Sequence, residues 1–167
     1  MRRSRVLSTL FKRDFLYTLY SFGYYGALFA SFLVSSFILK NFLDATREED
    51  ILVSAFPLNY PLYLTLIIIS LYLVIVSAIS ISREREQGTL EVLFYGPVTP
   101  SSFLWSKYLK DLSLGILALG FAALYFYVVS VLTNLGFTMG LVRALVMGVF
   151  LISCVVSFGL FISSLTG

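Results

Sequence analysis

Residues 83–100 read REREQGTLEVLFYGPVTP, and this polar stretch separates two long apolar stretches of the chain. Charged side chains are costly next to hydrocarbon, so a segment that carries several of them must face water. We call residues 83–100 the elbow. Most of the remaining chain has the composition of membrane helix, so the elbow is the segment most informative about function.

The composition of the whole chain excludes a soluble fold. Of its 167 residues, 59% are hydrophobic and 13% are charged, and the mean hydropathy is +0.92. Soluble domains average about 25% charged residues. Because so many apolar side chains cannot be hidden in one aqueous core, the sequence predicts an all-α integral membrane protein that forms a single domain over residues 1–167.

Four stretches are long and apolar enough to cross a bilayer, which requires about 20 mostly apolar residues per helix. None of them contains an interior Asp, Glu or Lys, and Lys107 and Lys110 are expected near the membrane surface. The sequence therefore predicts spans without buried charge. The predicted spans are residues 22–39, 61–82, 112–133 and 141–165.

The distribution of Lys and Arg predicts the orientation of these spans. Nine of the twelve basic residues lie before the first span or between the second and third, whereas Lys40, Arg47 and Arg143 lie on the other side. Loops rich in Lys and Arg stay in the cytoplasm. The N-terminus, the elbow and the end of the fourth span are therefore expected to be cytoplasmic.

Residues before the first span are predicted to form an amphipathic helix in the membrane interface. Asp14 and Thr18 fall on its apolar side and Leu16 on its basic side, so the pattern is imperfect. A helical basic flank without in-plane insertion is the alternative. The apolar side is formed by Leu7, Leu10, Phe11, Phe15 and Phe22, and the basic side by Arg2, Arg5, Lys12 and Arg13.

Several classes of chemistry are disfavoured. The chain has no histidine, which removes histidine-based acid–base catalysis and His-rich metal sites, and its one cysteine, Cys154, is expected to be a small buried hydrophobe. No stretch matches the phosphate-binding pattern G-x-x-x-x-G-K-[ST]. Basic residues are not clustered with exposed aromatic residues, so nucleic acid is not an expected partner. We predict no catalytic residue, no metal ligand and no cofactor site.

The elbow has the start and stop signals of a short helix. Gly88 lets the second span's helix end, Thr89 is a good N-cap, and Glu91 in the first turn complements the helix dipole. Gly96 and Pro97 would end this helix after Tyr95. An apolar side on such a helix predicts a docking surface for a protein partner. That side consists of Leu90, Leu93 and Phe94.

A second helix start follows directly. Thr99 has the character of a cap residue, and Pro100 suits the first helical position. The predicted helix leads from Ser101 into the third span. Small residues in the fourth span at four-residue spacing permit close helix contact; these residues are Ser153, Ser157, Gly159 and Ser163.

The elbow also resembles the signature of ABC-2-type transporter permeases. Residues 84–93, then Pro97, Val98 and Thr99, then Leu104 and Lys107, are similar to the family pattern E-R-E-x-G-T-L-E-x-L-x-x-x-P-V-[ST] and the following G-K pair. Ser106 stands where the family usually has glycine. The signature lies after the second span, where the family has it.

This resemblance implies a permease subunit of an ATP-binding cassette transporter. Its elbow would be a coupling helix that contacts a separate cytoplasmic ATPase subunit, which would bind and hydrolyse the ATP, and a second permease chain would complete the pathway. Lys107 would lie at the base of the third span. The ATPase-coupling residues implied by the family pattern are Glu84, Glu86, Gly88, Thr89, Leu90, Glu91 and Leu93.

Some alternatives stay open at this point. Such permeases generally have six spans, so the resemblance also implies a C-terminally incomplete chain, as a fragment, a truncated product or half of a split permease. A membrane scaffold or sensor that docks another cytoplasmic protein through the elbow is the alternative function. An intramembrane enzyme is disfavoured because the predicted spans lack paired polar groups.

Overall fold

Five helices form the part of the chain that the structure, a computed structural model, describes. The described residues are 2–49, 57–86, 88, 95 and 98–165, without the side chains of 2–6 and 45–49. No strand occurs within these ranges. The helices are α1 (Arg2–Leu19), α2 (Phe22–Glu49), α3 (Asn59–Glu86), α4 (Pro100–Thr133) and α5 (Met139–Leu165).

Four of the described helices are long and apolar enough to cross a membrane, which confirms the predicted number of spans. The apolar segments lie at Phe22–Asp44, Asn59–Glu86, Pro100–Thr133 and Met139–Leu165. Each of these helices includes one of the predicted spans. At the elbow end, α3 continues four residues and α4 begins twelve residues beyond the predicted bounds. Helix α2 continues ten residues past its span. The fold is therefore that of an all-α, multi-pass membrane protein.

The start of α4 was predicted correctly from its cap residues. Thr99 is the N-cap, and its side chain accepts a hydrogen bond from the Ser102 backbone N–H, while the Ser102 hydroxyl accepts one from the Thr99 N–H. Pro100 occupies the first turn, where its missing N–H costs nothing. The helix therefore begins at the elbow, twelve residues before the predicted span at 112–133.

Helix α3 lies at the centre of the described bundle. It contacts α2, α4 and α5, whereas α1 packs against α4. The Tyr24 hydroxyl on α2 donates a hydrogen bond of 3.1 Å to the Leu114 carbonyl on α4. The core between these helices is mainly apolar, and its fully buried side chains include Leu62, Leu114, Ile152 and Val156.

Small residues bring α5 against the backbone of α3. A Cβ atom at Gly159 would lie 2.7 Å from the Ser77 Cβ and 3.1 Å from the Val74 carbonyl oxygen, so only glycine fits. One turn further, the Ser163 hydroxyl oxygen accepts hydrogen bonds from the backbone N–H groups of Ile81 and Ser82. The predicted close contact through Gly159 and Ser163 is confirmed.

We expect Gly159→Ala to destabilise the bundle by about 1–3 kcal/mol, because the added methyl group meets backbone atoms that cannot rotate away. The thermal unfolding temperature in detergent measures this effect. Gly120→Ala on α4 is the matched control, since a Cβ there meets nothing within 4 Å; it should leave stability unchanged or raise it by up to about 1 kcal/mol. Equal effects of the two substitutions would contradict the contact.

Two expectations about α5 are wrong. Cys154 is exposed on the outer side of this helix, facing the surroundings of the bundle and not its core. Ser157 is also exposed, and its hydroxyl donates a hydrogen bond to the Ser153 carbonyl within the same helix. Both errors have one cause, because an apolar helix in a membrane has no polar side from which its buried side can be inferred.

Candidate functional site: an ion cluster at the root of the elbow

Three helices bring charged side chains together where the elbow leaves the bundle. Lys107 lies on the second to third turn of α4, and its Nζ is 2.7 Å from Asp14 Oδ2 on α1. The same Nζ is 2.5 Å from Glu84 Oε1, near the end of α3. Lys107 is only 4% exposed. We call Arg13, Asp14, Glu84 and Lys107 the Lys107 cluster.

A second cation completes the cluster from the water side. Arg13 Nε donates a hydrogen bond of 2.9 Å to Asp14 Oδ1, and an Nη atom lies 3.7 Å from Glu84 Oε1. Its side chain is 56% exposed, whereas those of Asp14 and Glu84 are 12% and 15% exposed. Each carboxylate is therefore shared between a buried ammonium and an outer guanidinium.

The cluster explains why the N-terminal helix is imperfectly amphipathic. The side of α1 that packs against α4 includes Leu10 and Phe15, and Asp14 and Thr18 lie on the same side. The Thr18 hydroxyl donates a hydrogen bond to the Asp14 carbonyl within the same helix. Asp14 reaches Lys107 from there. The acidic residue on the apolar side is thus the ionic contact between this helix and the spans.

Charge and hydrogen bonds keep Asp14 ionised. Burial by itself would raise the pKa of Asp14, but the hydrogen bonds and positive charges of Lys107 and Arg13 together outweigh it and hold the pKa below the ordinary 3.8. The carboxylate is therefore negative at neutral pH. The stability that it contributes is present above its ordinary pKa and is lost as the pH falls through the lowered value.

A second ion pair lies deeper in the bundle. Lys110 Nζ is 2.9 Å from Asp111 Oδ1, and the Ser77 hydroxyl donates a hydrogen bond of 2.9 Å to Asp111 Oδ2. Asp111 is completely buried and Lys110 is 4% exposed. Both residues lie just before the predicted third span at 112–133, and their burial between helices was not predicted from the sequence. Direct pairing and a hydroxyl donor allow α4 to bury both charges.

The predicted coupling residues are divided between described and undescribed parts of the chain. Glu84 belongs to the Lys107 cluster, and Glu86 is exposed at the end of α3. Gly88 has φ +67° and donates its N–H to the Arg85 carbonyl, so it turns the chain out of α3 as predicted. The remaining predicted coupling residues, Thr89, Leu90, Glu91 and Leu93, lie outside the described residues.

The predicted docking helix at 89–95 is described at its last residue alone. Tyr95 is helical, and its side chain is 93% exposed.

The roles of Asp14 and Asp111 were missed from the sequence. The signal for Asp14 was its place on an apolar helix side, and the signal for Asp111 was an acid beside a lysine at the edge of a long apolar run.

The geometry of the Lys107 cluster is that of an ionic contact between helices. The Lys107 cluster joins the last turn of α3, the start of α4 and the N-terminal helix α1. Within the described ranges, no group of three or more His, Cys, Asp or Glu residues could hold a metal ion. The Lys107 ammonium also lies 5.4 Å from the centroid of the Phe103 ring. The cluster therefore holds these three helices together beside the elbow.

A multi-pass helical membrane protein with a charged root between its second and third spans fits the class of transporter membrane subunits. The sequence model of the family described as "ABC-2 family transporter protein" matches residues 19–167, and the chain belongs to this family. No curated protein and no solved structure matches the chain. Membership makes it a membrane permease of an ABC transporter and confirms the resemblance inferred from the elbow.

Proposed function

We propose that the chain moves substrate across the membrane with energy from ATP that a separate ATPase subunit binds and hydrolyses. The observation that supports this most is the Lys107 cluster, since it lies where the elbow joins the bundle. Family membership supports the transport role. The chain itself binds no nucleotide in this proposal, because it lacks a phosphate-binding loop.

In the proposed mechanism, the ATPase contacts the elbow through residues Glu84, Glu86, Gly88, Thr89, Leu90, Glu91 and Leu93. Glu84 is shared between the elbow and the cluster, so a displacement of the elbow acts directly on Lys107 and Asp14. Helices α3, α4 and α1 then move together, because separating the ions would leave buried charges unpaired. A second permease chain, identical or different, provides the other wall of the pathway.

The proposed orientation places the N-terminus and the elbow in the cytoplasm. The excess of basic residues at this end supports it. The cluster then lies at the cytoplasmic membrane surface, where the proposed ATPase docks. Asp44 and Lys40, near the other end of α2, would lie toward the outside.

We expect Leu90→Asp to abolish co-purification of the chain with an ATPase subunit from the native membrane, because the docking helix would lose its apolar side. Ser101→Asp is the matched control. It adds the same charge at an exposed position in the first turn of α4, at the same end of the bundle. Affinity purification followed by mass spectrometry identifies the partner by its phosphate-binding loop.

Retained ATPase in the Leu90→Asp preparation, or equal loss in both variants, would contradict docking through the elbow. The alternative function is a scaffold or sensor that docks another cytoplasmic protein. In that case the partner lost from Leu90→Asp would have no phosphate-binding loop. The same experiment therefore separates the two functions.

A further inference from the structure

A cavity of about 450 Å³ lies beside the Lys107 cluster, between α1, α3 and α4. This volume is within the range of small-molecule sites, which is about 300–1,000 Å³. Its wall on α1 includes Asp14, Tyr17 and Thr18, and its wall on α4 is formed by Lys107 and Lys110. Arg83 and Glu84, at the start of the elbow, line it as well.

The third wall is one side of α3 that changes from apolar to basic along its length. It runs through Tyr72, Ile75, Val76 and Ile79 to Arg83 at helical spacing. From Tyr72 to Arg83 the helix rises about 16 Å, which is about half of the roughly 30 Å hydrocarbon thickness. The wall therefore spans one leaflet, with its basic end at the level of the elbow.

The cavity opens sideways to the surroundings of the bundle. Ile75 and Ile79 line it and are nevertheless 57% and 52% exposed. In a membrane, these exposed apolar side chains face lipid chains. A molecule with an acyl chain can therefore enter from the bilayer and lie along α3 without crossing the protein.

Among the described charged side chains in and beside the cavity, one cation has no carboxylate paired with it. Lys107 and Arg13 are paired with Asp14 and Glu84, and Lys110 is paired with Asp111. Arg83 lines the cavity, is exposed and makes no ion pair with any residue that the structure describes. Among the described side chains, four cations thus stand against three carboxylates, so the polar end of the cavity favours an anionic group.

We propose that this cavity holds an anionic phospholipid of the leaflet at the elbow end, with its phosphate at Arg83 and one acyl chain along Ile75 and Ile79. Basic pockets between membrane helices bind anionic headgroups in this way. The bound lipid fills the space between α1 and α3. It gives the interfacial helix a second attachment besides the Lys107 cluster. This inference goes beyond the proposed function and needs no ATPase.

Tryptophan quenching by brominated lipids tests the proposal. Trp105 is the only tryptophan in the chain, so Trp105→Phe with Ile79→Trp places one reporter in the cavity wall. The purified full chain is reconstituted in vesicles of phosphatidylglycerol and phosphatidylcholine, with bromine on either one lipid or the other. The two arms measure the relative affinity of the two lipids for the cavity.

We expect the reporter chain to prefer phosphatidylglycerol by about fivefold, the factor typical of one basic residue near a lipid headgroup. Arg83→Gln in the reporter chain should reduce the preference to about one. Because Arg83 is exposed, this substitution should leave the thermal unfolding temperature unchanged. Lys40→Gln is the matched control. Lys40 is also exposed but lines a separate cavity near the other end of α2, so the preference should persist.

Equal affinity for the two lipids in the reporter chain would overturn the proposal, and so would a preference that survives Arg83→Gln. A preference that inorganic phosphate in the buffer abolishes would overturn it too, since that result identifies a site for a soluble anion. None of these outcomes depends on a partner protein, so failure here is distinguishable from failure of the proposed function.

Discussion

Replacing Lys107 with methionine is expected to release α1 from the spans. Methionine keeps most of the length of the side chain but leaves Asp14 and Glu84 without their shared cation. Removing one member of a buried ion pair costs about 3–5 kcal/mol, and Arg13 is too exposed to replace the lost charge. Limited trypsin digestion measures the release, because cleavage after Lys12 and Arg13 should accelerate strongly once the helix detaches.

A second variant removes the charges of Lys107, Asp14 and Glu84 together. Adding Asp14→Asn and Glu84→Gln to Lys107→Met should slow cleavage again, since no buried charge is then left unpaired. Lys40→Met is the matched control, because Lys40 is an exposed lysine outside the cluster; its digestion should equal that of the unchanged chain. A Lys107→Met chain digested at the unchanged rate would show that the cluster does not hold α1.

Replacing Asp111 with alanine should cause the other large loss. The Lys110 ammonium is 4% exposed and would have no counter-ion, so we expect a destabilisation of about 3–5 kcal/mol. The Ser77 hydroxyl would lose its acceptor as well. The thermal unfolding temperature in detergent and the yield of monodisperse protein measure the effect.

A compensating pair keeps this prediction testable if the alanine variant does not fold. Lys110→Met with Asp111→Leu removes both charges and fills their volume, so it should recover most of the lost stability. Asp44→Ala is the control for loss of an exposed carboxylate near the other end of α2. Equal stability of Asp111→Ala and Asp44→Ala would mean that the buried pair contributes little.

The sequence was sufficient for the features that depend on local pattern. Apolar length predicted the four spans, Thr99 and Pro100 predicted the start of α4, and Gly88 predicted the turn after α3. Each of these follows from a few neighbouring residues, because helix caps and left-handed turns are decided within one turn of backbone.

Contacts between distant residues were not predictable in the same way. Asp14 and Lys107 are 93 positions apart, and neither hydropathy nor spacing relates them. The burial of Asp111 was not predicted, because a charge normally ends an apolar run. In the folded chain Lys110 and Ser77 compensate that charge, so the helix continues through it. The side of α5 that Cys154 occupies was likewise undetermined, since lipid and protein neighbours are both apolar.

Under the proposed function, the Lys107 cluster is the place where a force on the elbow would reach the spans. Glu84 forms an ion pair with Lys107 in the last turn of α3, four residues before Gly88 turns the chain. Lys107 is held by the same contact within the third turn of α4. The Glu84–Lys107 ion pair thus connects the two helices, α3 and α4, between which the elbow lies. A partner that displaces the elbow would therefore move both spans instead of bending a loop.

Photocrosslinking from the elbow tests the central claim most directly. Tyr95 is 93% exposed, so a photoreactive phenylalanine analogue at this position should be tolerated. After irradiation of native membranes, we expect a covalent product with a soluble protein that contains a phosphate-binding loop, and its yield should fall in the Leu90→Asp chain. Crosslinks only to lipid, or to a protein without that loop, would contradict the assignment of this chain as an ATPase-driven permease subunit.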